Sequence, residues 1–234
     1  SLVLLTVPLA YFETERSMPA TLRGVRELFV ECFPLFVALF LYNLIDSVPK
    51  FAMEGALSYD NQLYYNAMYF PAHSILMVAG FIYKPQLVRL ARIWDDPEKH
   101  RRFDLLVLAM VGVIALVTGA MALFMGTLGI PLMSLMYGLD FERFRGLCLV
   151  MVGTGGVCAC IDFLYQIVTV LRAQGDVSKL YLIAFAFSVP VAMLLVNFAG
   201  LAGAVVGSLV SMAILLTLLV MEYFGIRRRM SRGY

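Results

Sequence analysis

The first long apolar run, residues 28–51, constrains the fold more than any other part of this sequence. About twenty helical residues at 1.5 Å each cover the roughly 30 Å hydrocarbon core of a bilayer, so the run is long enough to cross a membrane. It nevertheless carries Asp46, Pro49 and Lys50 near its far end. Because an acidic residue in such a span costs about 2.5 to 3.5 kcal/mol on insertion scales, we expect Asp46 to have a partner, a wet cavity or a function.

The composition is that of a polytopic membrane protein. Of the 234 residues, 62% are hydrophobic and only 15% are charged, and the mean hydropathy of +0.86 lies far above that of soluble domains. We predict an all-α fold, a polytopic transmembrane helix bundle of six full spans plus an N-terminal partial span. The predicted spans cover residues 28–49, 63–84, 105–126, 146–170, 180–196 and 201–224.

The sequence divides into three parts. Residues 1–27 are predicted to be the tail of a preceding span and a cytoplasmic connector, residues 28–226 the six-helix bundle, and residues 227–234 a basic cytoplasmic tail. The apolar stretch at residues 2–12 is too short to cross a membrane. We therefore expect it to be a partial span of a longer chain.

The distribution of basic residues predicts the orientation in the membrane. One set of alternating loops holds fifteen of the eighteen Lys and Arg residues, whereas the opposite set holds only Lys50, Arg143 and Arg145. By the positive-inside rule, the richer set and the C-terminus of this multi-pass protein face the cytoplasm. The basic tail could instead bind anionic lipids or nucleic acid. We favour the topology signal and expect membrane lipids, but no nucleic acid, as partners.

Two stripes of small residues predict close packing between helices, because such residues let neighbouring backbones approach. On the sixth span, Gly203, Gly207 and Ser211 recur every four residues, and a parallel row runs beside them. The third span carries the other stripe. The parallel row on the sixth span is Gly200, Ala204 and Ser208, and the stripe on the third span is Gly112, Ala115, Gly119, Ala122 and Gly126.

Asp162 is the charged residue that is hardest to explain by solvation. It lies eight residues from the cytoplasmic end of the fourth span, or about 12 Å deep at 1.5 Å per residue. Gln166 lies one turn further along the same face, and Asn43 or Asp46 of the first span are possible neighbours. Asp162 is either a hydrogen-bonded group that holds helices together or a residue that lines a cavity and couples transport to an ion.

Asp46 and Lys50 form a second candidate site, near the outer interface. Their four-residue spacing places them on one helix face, and Pro49 removes a backbone donor there, which permits a kink or an early helix end. A local salt bridge and a role in substrate binding or gating both remain open. We predict that Asp46, Lys50, Asn43, Asp162 and Gln166 contribute to a substrate or ion pathway.

Covalent chemistry is not expected. His73 and His100 have no ligand-spaced Cys or carboxylate near them, so no metal or other cofactor is predicted. Neither a Ser, His and Asp set at catalytic spacing nor a glycine-rich phosphate loop is present, which argues against an enzyme. A structural membrane subunit that transports nothing is a further class that composition leaves open.

Four segments resemble the C-terminal half of polysaccharide and oligosaccharide flippases of the multidrug/oligosaccharidyl-lipid/polysaccharide exporter superfamily. These segments are YNLIDSVPKF, DNQLYYNAMYFP, YGLDFERFRGLCLVM and LRAQGDVSKLYLI. The resemblance covers about residue 21 to the end. It implies two bundles of about six helices that move by alternating access, of which this chain would form one half of a two-bundle transporter. It also implies export of a lipid-linked oligosaccharide across the plasma (inner) membrane, driven by ion gradients or membrane potential. Asp46 matches an acidic residue of the family's corresponding helix, residues 172–179 match a cytoplasmic loop, and an N-terminal half would be the partner.

A cation-coupled exporter of the multidrug and toxin extrusion type is the alternative within the same superfamily. A flippase should offer basic groups to a pyrophosphate, whereas an extruder of organic cations should line its cavity with carboxylates and aromatic rings. Lys50 favours the first function, and Asp162 together with the many Tyr and Phe residues leaves the second open.

Overall fold

A computed structural model describes the backbone of residues 22–94, 100–171 and 174–232, and the side chains of residues 33–94, 101–171 and 177–228. These ranges are helical apart from short turns and contain no strand, as predicted. The predicted partial span at residues 2–12 and most of the connector lie outside them. The α-helices are α1 Leu22–Met53, α2 Tyr59–Trp94, α3 His100–Phe124, α4 Ile130–Tyr137, α5 Arg145–Val170 and α6 Gln174–Arg232.

Four helical segments are long and apolar enough to cross a membrane. They are Phe33–Met53, Arg101–Tyr137, Glu142–Val170 and Val177–Arg228. The most apolar part of Arg101–Tyr137 has a mean hydropathy of 2.6 and is only 11% buried, so its side chains need an apolar surrounding that the protein does not supply. Length and composition mark the chain as a membrane protein. The count of six full spans stays a prediction, since α2 is not among these four segments.

Helix α5 lies at the centre of the bundle and packs against α2, α3 and α6. Two adjacent glycines allow this. A Cβ atom at Gly155 would overlap the backbone carbonyl of Ala72 in α2, and one at Gly156 would overlap the side chain of Thr118 in α3. Helix α1 packs mainly on α6, so α5 joins a core shared with α2 and α3 to a second core shared with α1 and α6.

Helix α6 is bent back on itself at Gly200, whose φ of 58° lies in the left-handed region that glycine adopts without strain. A Cβ atom at Gly203 would overlap the Leu195 carbonyl, and one at Gly207 would lie 3.6 Å from the Ala192 Cα. Residues 174–199 and 201–232 therefore form a tight antiparallel hairpin. The predicted packing role of Gly203 and Gly207 is confirmed, and the bend lies where the sequence predicts the turn between the fifth and sixth spans.

The predicted loop at residues 127–145 is wrong over its first half. A π-helical turn, Met125–Gly129, connects α3 directly to α4, and the helical path continues to Tyr137. Pro131 has no N–H to donate to the preceding turn, and the wider turn just before it accommodates this lost hydrogen bond. The helix ends at Gly138, which has a φ of 66°. Helix α1 likewise continues through Pro49 to Met53 instead of ending near the proline.

The small-residue stripe on α3 does not face a neighbouring helix, contrary to the prediction. Cβ atoms added at Gly112 and Gly119 would meet nothing within 4 Å in the described part of the chain. The opposite face of α3 is buried instead, through Phe103, Val107 and Ile114. Large side chains on that face fill the space against α2 and α5, so the small residues point outward.

The basic residues separate between the two ends of the bundle. At one end, Leu57 lies against the Gly200 turn, and the ring of Tyr64 packs at 5.0 Å on that of Phe141. At the other end, the rings of Trp94 and Phe103 lie 4.9 Å apart. The first end carries Lys50, Arg143 and Arg145, and the second carries Arg92, Arg101, Arg102, Arg227 and Arg228.

Candidate functional site

A small cavity opens between α1, α2, α5 and α6, near the end that carries Lys50. Its volume of about 20 Å³ is room for about one water molecule. Helix α1 contributes a single residue to the wall, Asp46, and α6 contributes Ser208. The remaining wall residues are Tyr65, Tyr69, Ala72, His73 and Leu76 from α2, and Met151, Thr154, Gly155 and Cys158 from α5.

Tyr69 joins the two charged residues that the sequence places four apart on α1. Its hydroxyl donates a hydrogen bond of 2.5 Å to Asp46 Oδ2, and Lys50 Nζ lies 3.9 Å from the centroid of its ring. Asp46 and Lys50, both within the described residues, do not form an ion pair with each other. The Lys50 ammonium group lies over the negative face of the Tyr69 ring, and the Asp46 carboxylate accepts from the hydroxyl at the edge of that ring.

Tyr65 and His73 complete the polar part of the wall. Ser208 donates its one hydroxyl proton to the carbonyl of Ala204 at 3.1 Å, so in the 2.6 Å contact between Tyr65 and Ser208 the tyrosine is the donor. The imidazole ring of His73 stacks on Tyr69 with centroids 5.3 Å apart and an interplanar angle of 22°. Since His73 is exposed, the cavity has an accessible mouth.

Asp162 occupies a different level of the bundle. The hydroxyl of Tyr83 donates a hydrogen bond to Asp162 Oδ2, and the ring of Tyr83 packs edge-on against Phe163 at 5.3 Å. Tyr83 follows Tyr69 by fourteen residues, which is about 21 Å along α2. The neighbour of Asp162 is therefore a tyrosine of α2, and neither Asn43 nor Asp46 takes that place.

The other two predicted site residues lie outside the cavity wall. Asn43 is exposed, and its side-chain amide donates to the carbonyl of Leu39 in its own helix at 2.8 Å. Gln166 is half-buried on α5. Of the five residues predicted to form one pathway, only Asp46 lines the cavity, and Lys50 reaches it through Tyr69.

The tyrosines of α2 are functional candidates that the sequence analysis did not single out. Tyr65 is only 1% exposed, and Tyr65 and Tyr69 both line the cavity. Their signal is the helical spacing of Tyr65, Tyr69, Ala72 and His73, which places four cavity residues on one face of α2. Tyr64 lies off that face, and its ring packs on the rings of Phe141 and Phe144.

A third tyrosine holds a third carboxylate, at the opposite end of the bundle. Tyr223 donates to Asp104 Oδ1 at 2.7 Å, and Arg227 donates to Asp104 Oδ2 at 2.5 Å. The guanidinium of Arg227 also lies 5.6 Å from the ring of Trp94. In all three pairs the tyrosine and the aspartate come from different helices, so each of these three carboxylates also ties two helices together.

Comparisons with known proteins add no relative. The chain matches no protein-family model, no curated protein and no solved structure. The resemblance to flippases therefore stays a prediction. Within the described residues, no group of three or more His, Cys, Asp or Glu is placed to hold a metal ion. The function has to be argued from the polar groups themselves.

Proposed function

We propose that this chain is one helical bundle of a membrane transporter, which flips a lipid-linked oligosaccharide across the plasma membrane by alternating access together with a second bundle. The observation that carries the proposal is the half-buried Asp46, held by Tyr69 at the wall of a cavity inside an apolar bundle. An acidic side chain inside an apolar bundle is costly, and such residues mark pathways for ions and substrates. A purely structural membrane subunit has no need of one beside an open cavity.

The size of the cavity favours a role in coupling over binding of the glycan. A volume of about 20 Å³ accepts a water molecule or a small ion, whereas a single sugar ring is several times larger. We infer that Asp46 would be the partner of a small cation in this cavity. We place the glycan at the face that the second bundle would cover.

The segregation of basic residues supports the proposed orientation. The end that carries Trp94, Arg101 and Arg227 is richer in arginine than the end that carries the cavity. By the positive-inside rule we place the first end and the C-terminus in the cytoplasm. The cavity would then open toward the outer side of the membrane.

A cation-coupled exporter of the multidrug type is the second candidate, and the chemistry of the cavity wall, though not the cavity's volume, favours it. The wall contains one carboxylate, two tyrosines and a histidine, but neither Lys nor Arg. Carboxylates and aromatic rings suit an organic cation, whereas a pyrophosphate needs basic donors. Lys50 is the basic group nearest to the wall, and the ring of Tyr69 already holds its ammonium.

Reconstitution of the full-length transporter into liposomes separates these functions. A fluorescent lipid-linked oligosaccharide reports flipping, and a fluorescent organic cation reports efflux, each with and without a proton gradient. We expect gradient-dependent flipping that is lost in Asp46→Asn and kept in Asn43→Ala. Asn43 is the control because its amide donates to Leu39 of its own helix and does not line the cavity. Efflux of the organic cation without flipping would establish the second candidate. Neither activity in a folded protein would leave only the structural subunit.

A further inference from the structure

The end of the bundle opposite the cavity carries a patch of exposed arginines. Arg101 and Arg102 lie at the start of α3, and Arg228 lies near the end of α6. In the part of the chain that the structure describes, none of the three forms an ion pair. Among the described residues, the acidic group on the same stretch of α3, Asp104, is already occupied, because Tyr223 and Arg227 take one carboxylate oxygen each. The patch therefore has a net positive charge that the described residues do not balance.

The contact between Asp104 and Arg227 holds this patch together. Arg101 lies three residues before Asp104 on α3, which is one helical turn, and Arg228 directly follows Arg227 on α6. Since Arg227 reaches Asp104 at 2.5 Å, α3 and α6 meet at this point, and the exposed arginines of the two helices lie at the same end of the bundle.

The surface next to the patch is apolar and exposed. On α3, Leu105 and Leu108 are 59% and 68% exposed, and on α6 the ring of Phe224 is 58% exposed. These residues lie within two turns of the arginines, on the side toward the middle of the bundle. A ligand that fits both surfaces has an anionic head and long apolar chains, which excludes a free phosphate ion as the matching partner.

We propose that Arg101, Arg102 and Arg228 bind the headgroup of an anionic phospholipid, whose acyl chains lie along Leu105, Leu108 and Phe224. Arginine donors match phosphate oxygens, and each basic residue near an anionic membrane surface strengthens the attraction. The proposal is independent of what the protein transports.

The test uses the whole protein in a neutral detergent, with phosphatidylglycerol or phosphatidylcholine added at equal amounts. Native mass spectrometry counts bound lipids, and thermal unfolding measures the stabilisation that binding produces. A third arm adds inorganic phosphate at matched ionic strength. The variant replaces Arg101, Arg102 and Arg228 with Gln, and Arg143→Gln is the matched control, because Arg143 is an exposed arginine at the opposite end.

We expect phosphatidylglycerol alone to bind and to raise the unfolding temperature of the wild type and of Arg143→Gln. In the triple variant, the loss of three basic contacts should weaken binding roughly a hundredfold. Equal binding by the triple variant would overturn the proposal, as would an equal response to phosphatidylcholine. Stabilisation by inorganic phosphate to the same extent would also overturn it, since the acyl chains would then contribute nothing.

If the triple variant does not fold, the single variant Arg228→Gln provides the test. It should bind phosphatidylglycerol several-fold more weakly than Arg143→Gln, and equal binding by these two variants would overturn the proposal.

Discussion

The hydroxyl of Tyr69 donates a 2.5 Å hydrogen bond to Asp46 across two helices, while the ring of the same tyrosine carries the ammonium group of Lys50. The two opposite charges on α1 are therefore coupled through a residue of α2 rather than directly. A movement that separates α1 from α2 would break both contacts at once. Tyr69 is therefore the residue that connects both charges of α1 to α2.

Tyr69→Phe should separate the two contacts, because it removes the hydroxyl and keeps the ring. We expect a loss of about 1 kcal/mol in the free energy of unfolding, as is usual for one hydrogen bond between membrane helices, together with reduced transport. Tyr64→Phe is the control, since the ring of Tyr64 packs on Phe141 and Phe144 and its hydroxyl has no part in the cavity. Equal effects of the two substitutions would show that the hydrogen bond to Asp46 is not important.

Exchange of the charges, Asp46→Lys with Lys50→Asp, tests whether Tyr69 mediates their coupling. A direct salt bridge should survive the exchange and recover part of the transport that each single substitution loses. The observed geometry predicts no recovery, because a carboxylate would face the negative face of the Tyr69 ring. The measurement is transport by the full-length protein. Recovery would mean that the two charges pair directly during the cycle.

Asp162→Asn tests coupling at the second carboxylate. Asn keeps an oxygen that accepts from Tyr83 but cannot carry a negative charge, so we expect normal folding and poor transport. Asp162→Leu leaves the Tyr83 hydroxyl without this acceptor and should lower the yield of folded protein. Transport by the Asn variant that is normal at every pH would assign Asp162 a structural role.

Gly155→Ala should destabilise the bundle at its centre. The new methyl group would overlap the backbone of Ala72, which cannot move without shifting α2 away from α5, and such overpacking costs about 1 to 3 kcal/mol. Gly112→Ala is the matched control, because its methyl group would enter open space on the outer face of α3. The free energy of unfolding in bicelles distinguishes them. A similar loss in both variants would contradict the close packing of α2 on α5.

The predicted topology can be tested with single cysteines at Asp60 and Arg228 in a background without other cysteines. Both positions are exposed and belong to opposite ends of the bundle. We expect a reagent that does not cross membranes to label intact cells at position 60 and to label position 228 only after permeabilisation. Labelling of both positions from outside would rule out this arrangement.

The sequence by itself determined the class of protein and the positions of most helices. Runs of apolar residues long enough to span a bilayer must form helices there, because only a helix satisfies its backbone hydrogen bonds within one segment. The predicted start and end of the helix at residues 145–170, and the turn at Gly200, agree with the structure to within a residue or two. The helix that continues through Pro131 was missed, because a proline is compatible with either a break or a bulge.

The tertiary structure alone decided which groups meet. Spacing along a chain identifies neighbours only within one helix. It therefore proposed Lys50 as the neighbour of Asp46, and it left the neighbour of Asp162, for which residues of the first span were proposed, undetermined. The actual partners, Tyr69 and Tyr83, are 23 and 79 residues away in sequence. The rotation of each helix about its axis was also beyond the sequence, since a stripe of small residues can face a neighbour, as at Gly203, or point away from the described helices, as at Gly112. That choice depends on which face of each helix carries the large side chains that fill the space between helices.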